Sequence, residues 1–136
     1  MKITIDTFVK SEISSVWQAW NNPEDIMQWN AASDDWHTTK SSVDLRKGGS
    51  FFSRMEAKDG SMGFDFRGTF TQVKENELIT YEMEDGRVVE IKFEITKNGI
   101  KITETFDAET ENDPEFQRQG WQSILNNFTR YVESKG

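Results

Sequence analysis

The chain has 136 residues, 35% of them hydrophobic, with 24 acidic side chains against 16 basic ones and a net charge of -8. That length suits one domain over residues 1–136, and the acidity excludes both the basic stripe of a nucleic-acid binder and the cationic face that docks on anionic membranes. With no cysteine, disulfides, thiolate chemistry and cysteine-ligated zinc are excluded as well.

The first residues, Met1-Lys2-Ile3-Thr4-Ile5, alternate polar and apolar and contain no apolar core of a signal peptide. No stretch reaches membrane-spanning length, so a cytoplasmic protein without membrane insertion is expected. Residues 2–9 read as a strand with Ile3, Ile5 and Phe8 on its apolar side. Ile13, Val16, Trp17 and Trp20 then recur at helical spacing, with Ser11 as the expected N-cap; this stripe is read as a core face rather than a partner surface. Asn22-Pro23-Glu24-Asp25 has the order of an N-cap, a proline at the first helical position and acids in the first turn. The short helix it opens carries Ile26, Met27 and Trp29.

From Trp36 to Phe106 the period is 2. Lys47-Gly48-Gly49, Asp59-Gly60, Glu75-Asn76, Asp85-Gly86 and Asn98-Gly99 punctuate this stretch, and such pairs between alternating runs signal hairpins. The turns separate six strands, and connections this short dictate an antiparallel meander. Asp113-Pro114-Glu115 then opens a long helix over 114–134, with Gln117, Trp121, Ile124, Leu125, Phe128, Tyr131 and Val132 on one face. Gly120 interrupts it, and a close approach to the sheet is its expected reason. The order β-α-α-β-β-β-β-β-β-α describes an α+β helix-grip fold, a curved antiparallel sheet wrapped around a long C-terminal helix.

Sheet and helix cannot close to contact everywhere, so a cavity is expected between them. The 10 Phe and 5 Trp supply rings that fill a core or wall a pocket equally well. Alternation assigns to its lining Phe51, Met55, Phe64, Phe66, Phe70, Tyr81, Ile91 and Phe93 from the strands, and Trp121, Ile124 and Phe128 from the helix. Glu104 breaks its strand's pattern, standing with Ile100, Ile102 and Phe106 where apolar residues are due. It is either a polar anchor or general acid/base in an apolar pocket, or a strand-end carboxylate at the rim paired with Lys or Arg. Arg54, Arg67 and Arg87 lie on or beside strands, with Arg67 expected to meet Asp65 or a cross-strand acid. Gln117 and Gln119 open the last helix near the expected cavity mouth.

Catalytic signatures are missing. His37 is the single histidine, and no Gly-x-Ser-x-Gly elbow accompanies it. No acidic spacing suggests a metal, Lys47-Gly48-Gly49 is not a phosphate loop, and Asp34-Asp35 reads as a solvated loop pair. No cofactor is expected.

The chain resembles the bacterial branch of the family named for the heat-shock-protein-90 ATPase activator, within the START/Bet v 1-like (SRPBCC) helix-grip superfamily. The residues that carry the resemblance are Val16-Trp17-Gln18-Ala19-Trp20 with Asn22-Pro23-Glu24 and Trp29, Asp44 through Phe51, Gly63 through Phe70, Asp85-Gly86-Arg87, and Gln119-Gly120-Trp121 with Leu125, Phe128 and Tyr131. The resemblance implies a long helix packed across the sheet and a small hydrophobic ligand, lipid-like, aromatic or polyketide-like, held between them without turnover. It also leaves room for a cyclase- or hydrolase-like enzyme using a cavity carboxylate, or a stress-linked protein-interaction module. The eukaryotic chaperone activator carries an additional N-terminal domain that 136 residues are too few to include, so no co-chaperone role is expected.

Overall fold

A computed structural model describes residues 1–135. The elements run β1 (Lys2–Val9), α1 (Ile13–Asn21), α2 (Pro23–Trp29), β2 (Trp36–Val43), β3 (Ser50–Ala57), β4 (Gly63–Lys74), β5 (Leu78–Met83), β6 (Val88–Thr96), β7 (Gly99–Asp107) and α3 (Pro114–Ser134). The seven strands form one curled antiparallel sheet in the order β1-β7-β6-β5-β4-β3-β2. The meander therefore runs unbroken from β2 to β7, and β1 joins at the far edge beside β7. Both prolines act as expected: Asn22 Oδ1 accepts from the Glu24 N–H at 3.1 Å and Asp113 Oδ1 from the Glu115 N–H at 3.0 Å. At Asp85-Gly86 the chain turns through a left-handed glycine (φ 92°), a conformation that costs other residues a steric clash.

Four local expectations are corrected. α1 is entered through Glu12, without a side-chain cap, rather than through Ser11. Val9, not Phe8, completes the buried side of β1, because the strand keeps strict alternation from Ile3 and Ile5; Phe8 is 40% exposed. Met27 is 38% exposed, since α2 buries only Asp25, Ile26 and Trp29. Gly120 approaches nothing: a Cβ built on it meets no atom within 4 Å.

The core fills one half of the grip. Phe128 of α3 meets Trp20 and Trp29 edge-on at 4.9 Å each, and Trp17 and Trp20 meet Phe93 at 5.3 and 5.7 Å. The Trp29 indole N–H is satisfied by the Ala19 carbonyl at 2.9 Å. Of the strands, β1 lies closest to α3. Arg118 and Gln122 donate to the Thr4 and Asp6 carbonyls of β1 at 2.8 and 3.0 Å, and the Thr7 and Thr129 hydroxyls pair at 2.7 Å. These bonds occupy carbonyls that an edge strand would otherwise offer to another chain. Asp25 is buried on α2 and accepts from the Tyr131 hydroxyl and the Lys135 ammonium, tying α2 to the end of α3.

Candidate functional site

Because α3 is fastened along β1 while the sheet curls away from it, a gap opens over the middle strands. It forms a cavity of about 420 Å³, within the range of small-molecule sites. On the sheet side it is lined by Phe51, Ser53 and Met55 of β3, Phe64, Asp65, Phe66 and Phe70 of β4, Ile79, Tyr81 and Met83 of β5, and Glu104 of β7. Trp121, Ile124 and Leu125 of α3 line it from the other side. Trp20 and Asn21 at the end of α1, and Ile26, Trp29 and Asn30 at α2, close one end, with Val43 and Arg87 also contributing.

The wall is shaped by one missing side chain. Gly68 stands on the same side of β4 as Phe66 and Phe70, opposite Phe51 on one flank and Met83 on the other. A Cβ there would lie 2.6 Å from Phe51 Cε1 and 3.0 Å from Tyr81 Cδ1. Its absence lets those two rings lie over the strand and meet edge-on at 4.7 Å. Trp121 stacks flat on Phe106 at 4.0 Å, 8° from parallel, and reaches Phe66 at 6.3 Å. The helix is thus fixed to β7 at one point and spans the gap beside it.

The sequence-derived lining residues divide into two groups. Phe51, Met55, Phe64, Phe66, Phe70, Tyr81, Glu104, Trp121 and Ile124 lie together at the cavity. Ile91, Phe93 and Phe128 do not reach it: they are sealed in the core, Phe93 and Phe128 under the tryptophans of α1 and α2. Phe64 is 48% exposed and stands at the rim. Sequence reasoning missed the contribution of Trp20, Asn21, Ile26, Trp29 and Asn30. The signal was present in the paired tryptophans of α1 and α2, but nothing local tells which end of the sheet those helices cap.

Glu104 is not the rim carboxylate of the alternative reading. It is 6% exposed, its cross-strand neighbours are Ile5 and Ile91, and no ion pair or hydrogen bond reaches its carboxyl among the described residues. Burial alone pushes its pKa up to about 8, because an apolar wall disfavours the charged form. Tyr81 is buried close by, and its hydroxyl is held well above the usual range, first by burial and then by the Glu104 charge.

The other polar candidates have structural partners. Arg54 pairs with Glu56 and Asp65, each at 3.1 Å. Arg67 pairs with Asp65 at 3.3 Å and lies 4.5 Å over the Phe52 ring. Arg87 pairs with Asp85 at 2.8 Å while also lining the cavity. Gln117 is buried and bonds Glu109 and Asn112, closing the loop before α3; Gln119 is exposed. His37 sits on β2 opposite Glu56, away from the cavity, and Asp34 and Asp35 are exposed. Among the described residues no group of three or more His, Asp or Glu could hold a metal ion, and no helix is long and apolar enough to cross a membrane.

The family model described as activator of Hsp90 ATPase homolog 1-like protein matches residues 10–133. The chain belongs to this family. It is 54% identical to the AHSA1-like protein from Aeromonas hydrophila, covering all of this chain and 94% of that one with a TM-score of 0.94. A protein from Cytophaga hutchinsonii is 48% identical over 98% of this chain and 93% of its own, with a TM-score of 0.85. Protein NE0264 from Nitrosomonas europaea keeps the fold at 17% identity, with a TM-score of 0.84 over 99% of this chain and 96% of that chain. No curated protein matches the chain. Membership of this family, with its helix-grip architecture, gives the chain a fold of the ligand-binding kind.

Proposed function

We propose that this protein binds a small, largely apolar molecule, lipid-like, aromatic or polyketide-like, in the cavity between the sheet and α3, and does so without turnover. The observation that carries this reading is a space of about 420 Å³ whose walls are mainly aromatic and aliphatic side chains. Such a surface is costly to leave wet, and an apolar guest that displaces its water binds favourably. The rings do not fill the gap themselves, because Trp121 is held back against Phe106 and Phe51 and Tyr81 lean over Gly68. The same proposal assigns the protein to the cytoplasm.

A thermal-shift panel of fatty acids, flat aromatic molecules and polyketide-like polyphenols tests it. A guest at 100 times its Kd stabilises the native state by about 2.7 kcal/mol, a rise of roughly 10 °C for a domain of this size. Loss of that rise in Phe66→Asp, with the unliganded melting transition still cooperative, would tie it to the cavity. No shift with any class would overturn the proposal.

One observation favours a second reading: a carboxyl held near pH 8 inside the cavity has the form of a general acid/base. In that reading Glu104→Gln keeps ligand binding and loses turnover of the bound molecule. A ligand recovered chemically unchanged after prolonged incubation with the unaltered protein contradicts it.

A further inference from the structure

Among the described residues the buried polar side chains Asp25, Thr38 and Gln117 outside the cavity are satisfied, Asp25 by Tyr131 and Lys135, Thr38 by the Asn30 carbonyl at 2.7 Å, and Gln117 by the loop before α3. Inside the cavity three are not, Ser53 of β3 and the pair Glu104 and Tyr81. Glu104 and Tyr81 are 6% and 7% exposed, and neither carries a side-chain hydrogen bond among the described residues. Nor are they sealed in the packing. Among the described residues the one buried side-chain polar atom with neither a partner nor open space beside it is the Ser41 hydroxyl, outside the cavity, so Glu104 and Tyr81 open onto the cavity they line.

The sheet register brings the two to one region of the concave face. Tyr81 pairs with Val89, Val89 with Phe106, and Glu104 is two residues from Phe106 on the same side of β7. The Glu104 charge is felt at the Tyr81 hydroxyl. Everything else that flanks Glu104 is apolar: Ile5 and Ile91 beside it, and Trp121, Ile124 and Leu125 on α3 across the cavity. Unpaired groups of this kind cost free energy in the empty protein, and a ligand atom that completes them recovers it.

The chemistry of that atom follows from what the two groups offer. At neutral pH Glu104 holds its proton and Tyr81 holds its own, so both donate. The Arg87 guanidinium lines the same cavity and adds a third positive end. A cationic guest would face Arg87 and lose its water inside an apolar wall, and the Asp65 carboxylate that also lines the cavity is already paired with Arg54 and Arg67. An oxygen that only accepts meets donors.

We propose that the cavity selects, within the apolar class already inferred, molecules that carry a carbonyl oxygen, held by hydrogen bonds from the Glu104 carboxyl and the Tyr81 hydroxyl. An acid kept neutral by apolar surroundings and working beside a tyrosine is an established way to hold such an oxygen. The proposal rests on the reading of the cavity as an apolar-ligand site, and the test separates the two.

The test compares three probes of one shape: tetralin, 1-tetralone and 1-aminotetralin, titrated into the intact protein at pH 6.5 and followed by NMR. Tetralin is the most apolar, so burial alone ranks it first. The proposal expects 1-tetralone to bind roughly tenfold or more tightly than tetralin, the ratio conferred by completing one or two buried hydrogen bonds. That preference falls toward parity in Glu104→Leu and in Tyr81→Phe, which keep the packing and remove a donor. Of the cavity-lining residues only Asp65, Tyr81, Arg87 and Glu104 titrate, and Asp65 is already ionised through the window, held low by Arg54. The ketone preference therefore declines above about pH 8 and persists there in Glu104→Gln, which keeps an N–H donor. Tetralin binding as well as 1-tetralone, or the amine binding best, would overturn this inference and leave apolar binding intact. Binding of none of the three would overturn both.

Discussion

At position 104 the chain places a carboxyl between Ile5 and Ile91, two residues with almost no exposure, and this makes the protein's stability depend on pH in a defined direction. In the unfolded chain Glu104 titrates near 4.5 and in the native state near 8. Below the lower value both states hold the proton and the full stability is present. Between the two only the native state holds it, so stability falls as pH rises; above about 8 the loss is complete. The span corresponds to a loss on the order of 5 kcal/mol. Asp65, Asp85 and Asp107 act in the opposite sense, held below the usual carboxylate range first by Arg54, the Arg87 backbone N–H and Lys2 respectively. Their contribution is lost only in acid, outside the Glu104 window. Urea denaturation at pH 5, 7 and 9 is expected to show falling stability in the unaltered protein and a flat profile in Glu104→Leu. An equal fall in both would place the cause elsewhere. Glu104 was conspicuous in the sequence as a break in alternation. Its lack of a partner was not, because that depends on β1, far away in the chain, as well as on the hairpin neighbour β6, and both carry isoleucine at the opposing positions.

Among the elements, β4 and α3 each contain a glycine that local rules treat alike and packing treats oppositely. Gly68 is filled over by the Phe51 and Tyr81 rings, at 2.6 and 3.0 Å from where a Cβ would stand, whereas a Cβ on Gly120 would meet nothing within 4 Å. Gly68→Ala is expected to cost about 1–3 kcal/mol by overpacking and to narrow the cavity. Gly120→Ala is expected to gain about 0.5–1 kcal/mol through helix propensity. Chemical denaturation of the two variants checks both, and the signs must differ. The alternating strands, the Asp-Gly and Asn-Gly turns and the two Asx-Pro helix starts were legible because each is a local rule. The Gly120 expectation failed because a helical interruption has the same local form whether or not anything packs on it. Ser11 failed as a cap for a related reason: a serine near a helix start has the same local form whether or not it caps, and here α1 begins one residue later, through Glu12.

For the molecule as a whole, the cavity follows from how unevenly α3 is held. Its bonds to Thr4, Asp6 and Thr7 run along β1, and its Phe128 end is buried under the tryptophans of α1 and α2. Only Trp121, Ile124 and Leu125 face the space over β3, β4 and β5. Strand alternation brought most of the sheet wall within reach of sequence reasoning. It could not separate the filled half of the grip from the open half, since Ile91 and Phe93 share a face with Tyr81 and differ only in which helix lies above them. The grip is thus uneven, filled under the tryptophans and open over the middle strands. Methyl-labelled protein titrated with 1-tetralone tests this unevenness directly. Shift changes and intermolecular NOEs are expected at Met55, Ile79, Met83 and Ile124, which line the cavity, with the exposed Met62 and Ile95 unmoved. Changes centred on Met62 or Ile95, with the cavity methyls silent, would contradict it.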